Sequence, residues 1–480
     1  MQIKKMESAN KWLALAVIIL GTFITMLDSS IVYIAIPKLM AIFNVDLGDV
    51  KWVLTAYSLA LAAVIPVTGF LSETFGTKKV FLFALSMFTL GSMLCGLSWN
   101  NSSLILFRII QAIGGGMIMP VAVTIIFTIF PFEERGKAMG YWAIVGMFGP
   151  ALGPTIGGYI IANMDWRIMF LVNVPLGILG ILIASYSLES SPTKPFKRFD
   201  IIGFISSVIA IVSLLYVLGE GTSIDWSNIK NPILLSIGII SVVVFIANEL
   251  IVEEPLLDLR VFKIFNYTVS QIVQTLHGLA FMGGVLILPL YLQEVRGYSA
   301  LDTGLMLFPS AIASGFTAAV SGRLLNKVGL RILTVPGLII VAVTTYQLSF
   351  LDMNTSVEMI LLLSTVRGLG MGFCMQPVGT AGIYAVPGNL VGRASALQNT
   401  IKQITQALCI TILTTQIQNK FNYNYSQLSN QIAEQTTSIM QKQAYNDALN
   451  YAMILTLITI LLSVIAVMFM KDQIIKVQKV

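Results

Sequence analysis

Charged residues are scarce in this sequence of 480 residues. Asp, Glu, Lys and Arg together make up 11% of it, whereas an average soluble domain contains about 25%. Hydrophobic residues make up 56%, so a soluble chain would lack the polar side chains to cover its surface. Intrinsic disorder is excluded too, because it requires low hydrophobicity and high charge. The composition predicts an all-α integral membrane protein, since long apolar runs favour helices over barrel strands.

Cysteine and histidine are almost absent. The three cysteines, Cys95, Cys374 and Cys409, lie in apolar runs, which gives neither a disulfide framework nor a paired metal motif. One histidine, His277, leaves no room for a His-rich metal site or a triad. The sequence contains no GxxxxGK[ST] loop, so it does not indicate an ATP-driven pump. We expect no cofactor, no metal and, without a soluble domain to carry a basic patch, no nucleic-acid partner.

Fourteen apolar segments are long enough to cross the hydrocarbon of a bilayer. They are 12–36, 51–72, 80–98, 103–128, 138–161, 168–188, 201–218, 233–251, 268–292, 303–324, 332–351, 357–384, 394–415 and 448–470. Most of the 29 lysines and arginines lie in the segments that would share one side with the termini. Because cytoplasmic loops carry the excess of such residues, we expect both termini in the cytoplasm.

The two halves of the sequence share three landmarks in the same order. GFLSETFGTKK returns as GRLLNKVGLR, RIIQAIGGGMIMP as RGLGMGFCMQP, and PFEERGKA as PGNLVGRA. Such a parallel repeat predicts two six-helix bundles, at 1–190 and 266–480, with a linker and two additional transmembrane helices at 191–265. The second bundle would include an extracytoplasmic loop at 416–447, either a cap or a mobile loop. A parallel repeat can close a cavity within one chain, so a monomer is sufficient.

Asp28 is the one acid deep within a predicted span. A charge at that depth costs about 2.5–3.5 kcal/mol on insertion scales, and such residues usually have a function. We predict that Asp28 alternates between protonated and ionised states. The alternative is a static ion pair with Arg108 or Lys402.

Two glycine-containing motifs are candidates for gating. The basic turn between the second and third spans predicts a cytoplasmic latch, or an ordinary positive-inside turn. The fifth span has glycines at three- and four-residue steps on one face and two prolines that would kink it, which predicts a hinge or seal, or a static packing helix. The gating candidates are Gly69, Glu73, Gly76, Lys78, Lys79, Gly146, Gly149, Pro150, Gly153, Pro154, Gly157 and Gly158.

Polar and aromatic residues at membrane depth are candidates for a substrate cavity, although any one is more often a packing residue. Arg108 and Arg367 hold repeat-related positions and could neutralise Asp28, polarise a substrate or bind backbone carbonyls. His277 could carry protons or be a hydrogen-bonded packing residue. The cavity candidates are Tyr57, Gln111, Gln274, His277, Tyr291, Arg367, Asn399, Lys402 and Gln403.

These motifs together resemble the major facilitator superfamily, and most closely its fourteen-span drug:proton antiporter branch, which exports quaternary ammonium compounds and other lipophilic drugs. LDSSIVYIAIP at 27–37 is similar to the first-helix signature of that branch, RIIQAIGGG to its fourth-helix motif and GMFGPALGPTIGG to its antiporter motif. The resemblance implies Asp28 and Arg108 as proton-coupling residues. It also implies a bacterial plasma-membrane exporter of lipophilic, drug-like compounds, driven by proton antiport through alternating access.

Two other functions stay open at this point. One is proton-coupled export or flipping of a lipid, fatty acid or metabolite. The other is an integral-membrane transferase, which should show clustered His, Asp or Glu at the membrane surface, and the scattered acids of this sequence do not.

Overall fold

The computed structural model describes residues 8–45, 47–50, 52–190, 199–220, 227–253, 255–429 and 437–471. These residues form fourteen long helical segments, with shorter turns between them. The segments are α1 (Ser8–Phe43), α2 (Trp52–Phe75), α3 (Thr77–Gly96), α4 (Asn101–Ile129), α5 (Phe132–Asn163), α6 (Ile168–Ser187), α7 (Ile201–Glu220), α8 (Lys230–Ile251), α9 (Phe265–Val295), α10 (Ala300–Val328), α11 (Leu330–Leu348), α12 (Val357–Tyr384), α13 (Val391–Ser429) and α14 (Thr437–Phe469).

Within the described residues, 11 helices are long and apolar enough to cross a membrane. The other three long segments are α5, α7 and α13, and every predicted span overlaps one of the fourteen segments. The prediction of an all-α, multi-pass membrane protein is therefore confirmed. The number of fourteen crossings stays a prediction.

The segment 416–447, expected to be a loop, is largely helical. α13 continues to Ser429 and α14 begins at Thr437, while residues 430–436 lie outside the described set. The segment is rich in Gln and Asn but contains no glycine or proline, so nothing in it breaks a helix. A loss of hydrophobicity marks the end of a membrane span and not the end of a helix.

The residues group into two compact units. One comprises Met1–Tyr216, Pro232–Ile264 and Ile383–Thr400, and the other comprises Val217–Asn231, Phe265–Gly382 and Ile401–Val480. Most of α7 and all but the first residues of α8 belong to the first unit. The division into two six-helix bundles with two additional helices at 191–265 stays a prediction.

The internal repeat has a counterpart in the backbone. Gly76 separates α2 from α3 at φ 87°, and Gly329 separates α10 from α11 at φ 86°. A side chain is disfavoured at such dihedral angles, so each turn depends on glycine. These two glycines are equivalent in the repeated loop motif, so both copies use the same connection between helices.

Glycine also sets how closely the helices approach. A Cβ on Gly114 of α4 would lie 2.3 Å from the Phe88 backbone nitrogen of α3, and one on Gly91 would lie 2.4 Å from Cα of Gln111. In the second unit, a Cβ on Gly370 of α12 would lie 2.7 Å from the Gly337 carbonyl oxygen of α11. Backbones in direct contact of this kind are a common way to associate helices in membranes.

The contact at Gly114 predicts a stability effect. Gly114→Ala forces α3 and α4 apart, so we expect it to destabilise the protein by about 1–3 kcal/mol, as overpacking usually does. Gly146→Ala is the matched control, because a Cβ there meets nothing within 4 Å. Thermal unfolding of both variants in one detergent, followed by tryptophan fluorescence, checks this. Equal melting temperatures would show that the α3–α4 contact is not tight.

Candidate functional site

The candidate site lies inside the first unit, where α1, α4 and α6 meet. Asp28 and Arg108 are both 0% exposed. A hydrophobic cluster closes around them, including Leu27 and Ile31 of α1 and Phe170 of α6. Because water is kept away from two charged groups, the energy of the site depends on how well those groups are paired.

Both oxygens of the Asp28 carboxylate accept hydrogen bonds. Arg108 Nη1 donates to Oδ2 at 2.5 Å, forming a buried ion pair. The side-chain amides of Gln111 and Asn173 each donate to Oδ1 at 2.9 Å. The carboxylate is thus held by one guanidinium and one amide of α4 and by one amide of α6.

The guanidinium of Arg108 is held from several directions. Nη1 also donates to Oε1 of Gln111 at 2.6 Å, and Nε donates to the Val53 carbonyl at 3.4 Å. Its central carbon lies 3.7 Å from the ring centroid of Tyr57, which is a close cation–π contact. Nη2 is buried and has no hydrogen-bond partner among the described residues, so its two N–H groups can still donate.

Sequence reasoning found Asp28, Arg108, Gln111 and Tyr57 but missed two partners. Asn173 binds Asp28, and Ser92 accepts a 2.6 Å bond from the Gln111 amide. Asn173 lies in DWRIMFLVNVPLG at 165–177, so an amide within a membrane-spanning run was the available signal. Ser92 gave no comparable signal, because hydroxyls often bond to their own helix.

The ion pair that was the alternative interpretation of Asp28 is present, and its partner is Arg108. Lys402 of α13 has an exposed side chain and forms no ion pair in the described part of the chain. Proton binding at Asp28 stays a prediction.

Arg367 is the repeat-related counterpart of Arg108 but has different partners. Its Nη2 donates to the Ala280 carbonyl of α9, and its Nε donates to the Thr345 hydroxyl of α11 at 3.2 Å. A Cβ on Gly284 would collide with the guanidinium. Of the three roles considered for this arginine, the structure shows carbonyl binding.

The remaining cavity candidates are dispersed. The Tyr291 hydroxyl donates to the Asp352 carbonyl at 2.6 Å, and Gln274 donates to the Ser270 carbonyl. His277 is 1% exposed, and neither ring nitrogen has a hydrogen-bond partner among the described residues. Asn399 donates to the Ser395 carbonyl, and Gln403 is partly exposed on the same helix as Lys402.

The basic turn after α2 contributes an ion pair. Glu73 Oε2 accepts a 3.0 Å bond from Arg393 Nη2. A Cβ on Gly69 would lie 3.2 Å from Cα of Arg393, so only a small residue lets the backbones come this close. Lys78 donates to the Ser185 carbonyl at 2.7 Å, whereas Lys79 is exposed.

The glycine stripe of α5 contacts α1 on both sides of the ion pair. A Cβ on Gly149 would lie 2.5 Å from Cβ of Met26, and one on Gly153 would overlap the Ser30 side chain. Gly157 faces Ile31 in the same way. Gly146 and Gly158 do not share this contact, because a Cβ on either meets nothing within 4 Å. The side chains of Pro150 and Pro154 lie outside the described set.

A buried ion pair in a helical membrane protein is suited to moving charge or a proton, as in a membrane transporter. Residues 18–409 match the profile of the Major Facilitator Superfamily. The chain is 36% identical to the uncharacterized MFS-type transporter YhcA of Bacillus subtilis, covering 94% of this chain and 84% of that protein. It is 29% identical to the multidrug export protein EmrB of Escherichia coli K12, over 90% and 85%.

Solved structures show the same fold. The proton:xylose symporter XylE, bound to 6-bromo-6-deoxy-D-glucose, aligns with a TM-score of 0.64 over 98% of each chain, at 14% identity. This chain belongs to the Major Facilitator Superfamily, in its multidrug-transporter branch, and is a transport protein rather than an enzyme.

The buried pair predicts a non-additive effect on stability. Asp28→Asn leaves the Arg108 guanidinium buried without a counter-charge, so we expect a loss of about 3–5 kcal/mol in stability. Asp28→Asn combined with Arg108→Gln removes both charges and should recover most of it. Thermal unfolding of the double variant and of both single variants checks this, with Asp165→Asn as a control at an exposed acid. Additive losses in the double variant would contradict the pairing.

Proposed function

We propose that this chain is a secondary active exporter of lipophilic, drug-like compounds, driven by proton antiport through alternating access. It would work as a monomer in the bacterial plasma membrane with both termini in the cytoplasm. The similarity to a multidrug export protein over most of both chains supports the export of drug-like compounds. The bias of lysine and arginine toward one set of loops supports the orientation.

The observation that carries the proposal is the completely buried Asp28–Arg108 pair. While Asp28 is ionised, the pair links α1 to α4, and Asn173 adds α6. Protonation of Asp28 cancels its charge and leaves the guanidinium without a counter-ion, at a cost of several kcal/mol. A different arrangement, in which Arg108 finds another acceptor, then becomes favoured. Proton binding is thereby coupled to a change of conformation.

The direction of coupling follows from this charge balance. A proton that enters from outside would bind Asp28 and release Arg108, and its departure to the cytoplasm would restore the pair. Substrate leaving outward would alternate with this proton, as antiport requires. Tyr57 and Gln111 touch Arg108 directly, so they would transmit the change toward α2 and α3.

The two glycine motifs would gate this cycle. The Glu73–Arg393 pair would act as a latch that opens when the cytoplasmic side opens. The close α1–α5 contact at Gly149 and Gly153 lies within two residues of Asp28 along α1. A shift of this contact would therefore displace the Asp28 carboxylate. These gating roles stay predictions.

Proteoliposomes with an imposed pH gradient test the coupling role of Asp28. The wild-type chain should show substrate-dependent proton flux with members of a broad panel of lipophilic compounds that includes drugs, fatty acids and lipids. Asp28→Asn should abolish that flux, because an amide cannot take up and release the proton. The measurement is the change in fluorescence of a pH-sensitive dye inside the proteoliposomes when each compound is added.

Asp165→Asn is the matched control, since it removes an exposed acid in the connection between α5 and α6 and should keep the wild-type flux. Full proton-coupled transport by Asp28→Asn would eliminate Asp28 as the coupling residue. Absence of substrate-dependent proton flux in the wild-type chain across the panel would overturn the antiporter proposal itself.

A further inference from the structure

Lys402 is an exposed cation in the part of α13 that is predicted to cross the membrane, 394–415. Its side chain makes no hydrogen bond and no ion pair within the described residues. A bare ammonium is not stable against lipid tails. The surface of α13 at this residue must therefore face water or a polar molecule.

The neighbours of Lys402 on α13 indicate that this face of the helix contacts water. Asn399, Gln403 and Gln406 are all partly exposed. Together with Lys402 they recur at three- and four-residue steps and share one face of the helix. The polar stripe covers about two turns and then stops, because Cys409 and Leu413 are buried in a hydrophobic cluster of the second unit.

The exposed side chains that follow the stripe on α13, up to Leu413, are apolar. Leu408 is 36% exposed, Ile410 42% and Ile412 45%, which suits contact with lipid. The polar stripe is therefore a local exception within a segment that is predicted to cross the membrane. Polar groups in such a position usually mark a substrate or ion pathway.

Among the described residues, Lys402 has no counter-ion. A cationic compound would be repelled by the uncompensated ammonium. An anionic compound would supply the missing partner for Lys402.

We propose that Lys402 binds the anionic group of the transported compound. The substrates are lipophilic anions, such as a carboxylate, sulfate or sulfonate on a hydrophobic body. The ammonium contributes a charge-assisted contact, and the amides of the stripe offer further hydrogen bonds. This inference rests on the proposed export function, and it specifies the charge of what is exported.

Matched fluorescent probes test the inference by binding, without a pH gradient. One probe is a dansyl-labelled fatty acid, and the other carries a trimethylammonium group on the same dansyl-alkyl body. Each is titrated against the full chain in phosphatidylcholine nanodiscs. The wild-type chain should bind the carboxylate more tightly than the ammonium. Lys402→Gln should weaken carboxylate binding about ten- to hundredfold, the range expected for a hydrogen bond to a charged group, and should leave ammonium binding unchanged or tighter.

Two further variants separate charge from folding. Lys402→Arg keeps the cation and should retain carboxylate binding to within a few-fold. Lys420→Gln removes another lysine of α13, next to Tyr423 and Tyr451, and should bind both probes as the wild type does. Equal carboxylate affinity in the wild type and Lys402→Gln would overturn the proposal. Tighter binding of the ammonium probe by the wild-type chain, or binding of neither probe, would overturn it too.

The lipid composition of the nanodisc distinguishes two sources of the anion, a lipid headgroup and a free amphiphile. If phosphatidylglycerol in the nanodisc competes with the carboxylate probe in the wild type but not in Lys402→Gln, Lys402 binds an anionic lipid headgroup. If it does not compete, Lys402 selects free amphiphiles. Proton-coupled flux of the same probes in proteoliposomes is measured separately. Lys402-dependent binding without flux would refute the export function while leaving the charge assignment intact.

Discussion

The buried pair of Asp28 and Arg108 is the interaction on which the first unit depends. Neither residue has exposed surface, so neither can exchange its partner for water. Two amides donate hydrogen bonds to the carboxylate. The guanidinium donates to a backbone carbonyl and lies over an aromatic ring, so both members of the pair have further partners. A change in the charge of either member therefore cannot stay local, because the other member must find a new partner.

Close backbone contact is what brings these groups together. Gly91 lies against the backbone of Gln111, which lets Ser92 reach the Gln111 amide. Gly149 and Gly153 let α5 approach α1 on either side of Asp28. The same glycine spacing that permits packing in lipid thus fixes the distances of the polar site. The second unit repeats the glycine contacts but not the ion pair, because Arg367 binds a backbone carbonyl whereas Arg108 binds the Asp28 carboxylate.

The sequence predicted the parts of this site that stand out against an apolar background. Asp28, Arg108 and Gln111 are costly to place in a membrane, so they can be recognised in the sequence as polar residues within apolar runs. Their pairing was one of several options, because nothing local joins Asp28 to Asn173, which is 145 residues away. Every span predicted from hydropathy overlaps a helical segment, but hydropathy underestimated α13 and α14, whose polar ends stay helical. The period of the α5 glycines did not show that Gly146 lies outside the α1 contact.

The central claim is that Asp28 itself gains and loses a proton. Infrared difference spectroscopy of the full chain in lipid, recorded between high and low pH, tests it directly. Because the chain has 23 Asp and Glu residues, the account predicts that one component of the protonated-acid carbonyl stretch at low pH is lost in Asp28→Asn and retained in Asp165→Asn. The same protonated-acid band in the wild type and in Asp28→Asn would contradict the account, and the ion pair would then be a fixed part of the structure.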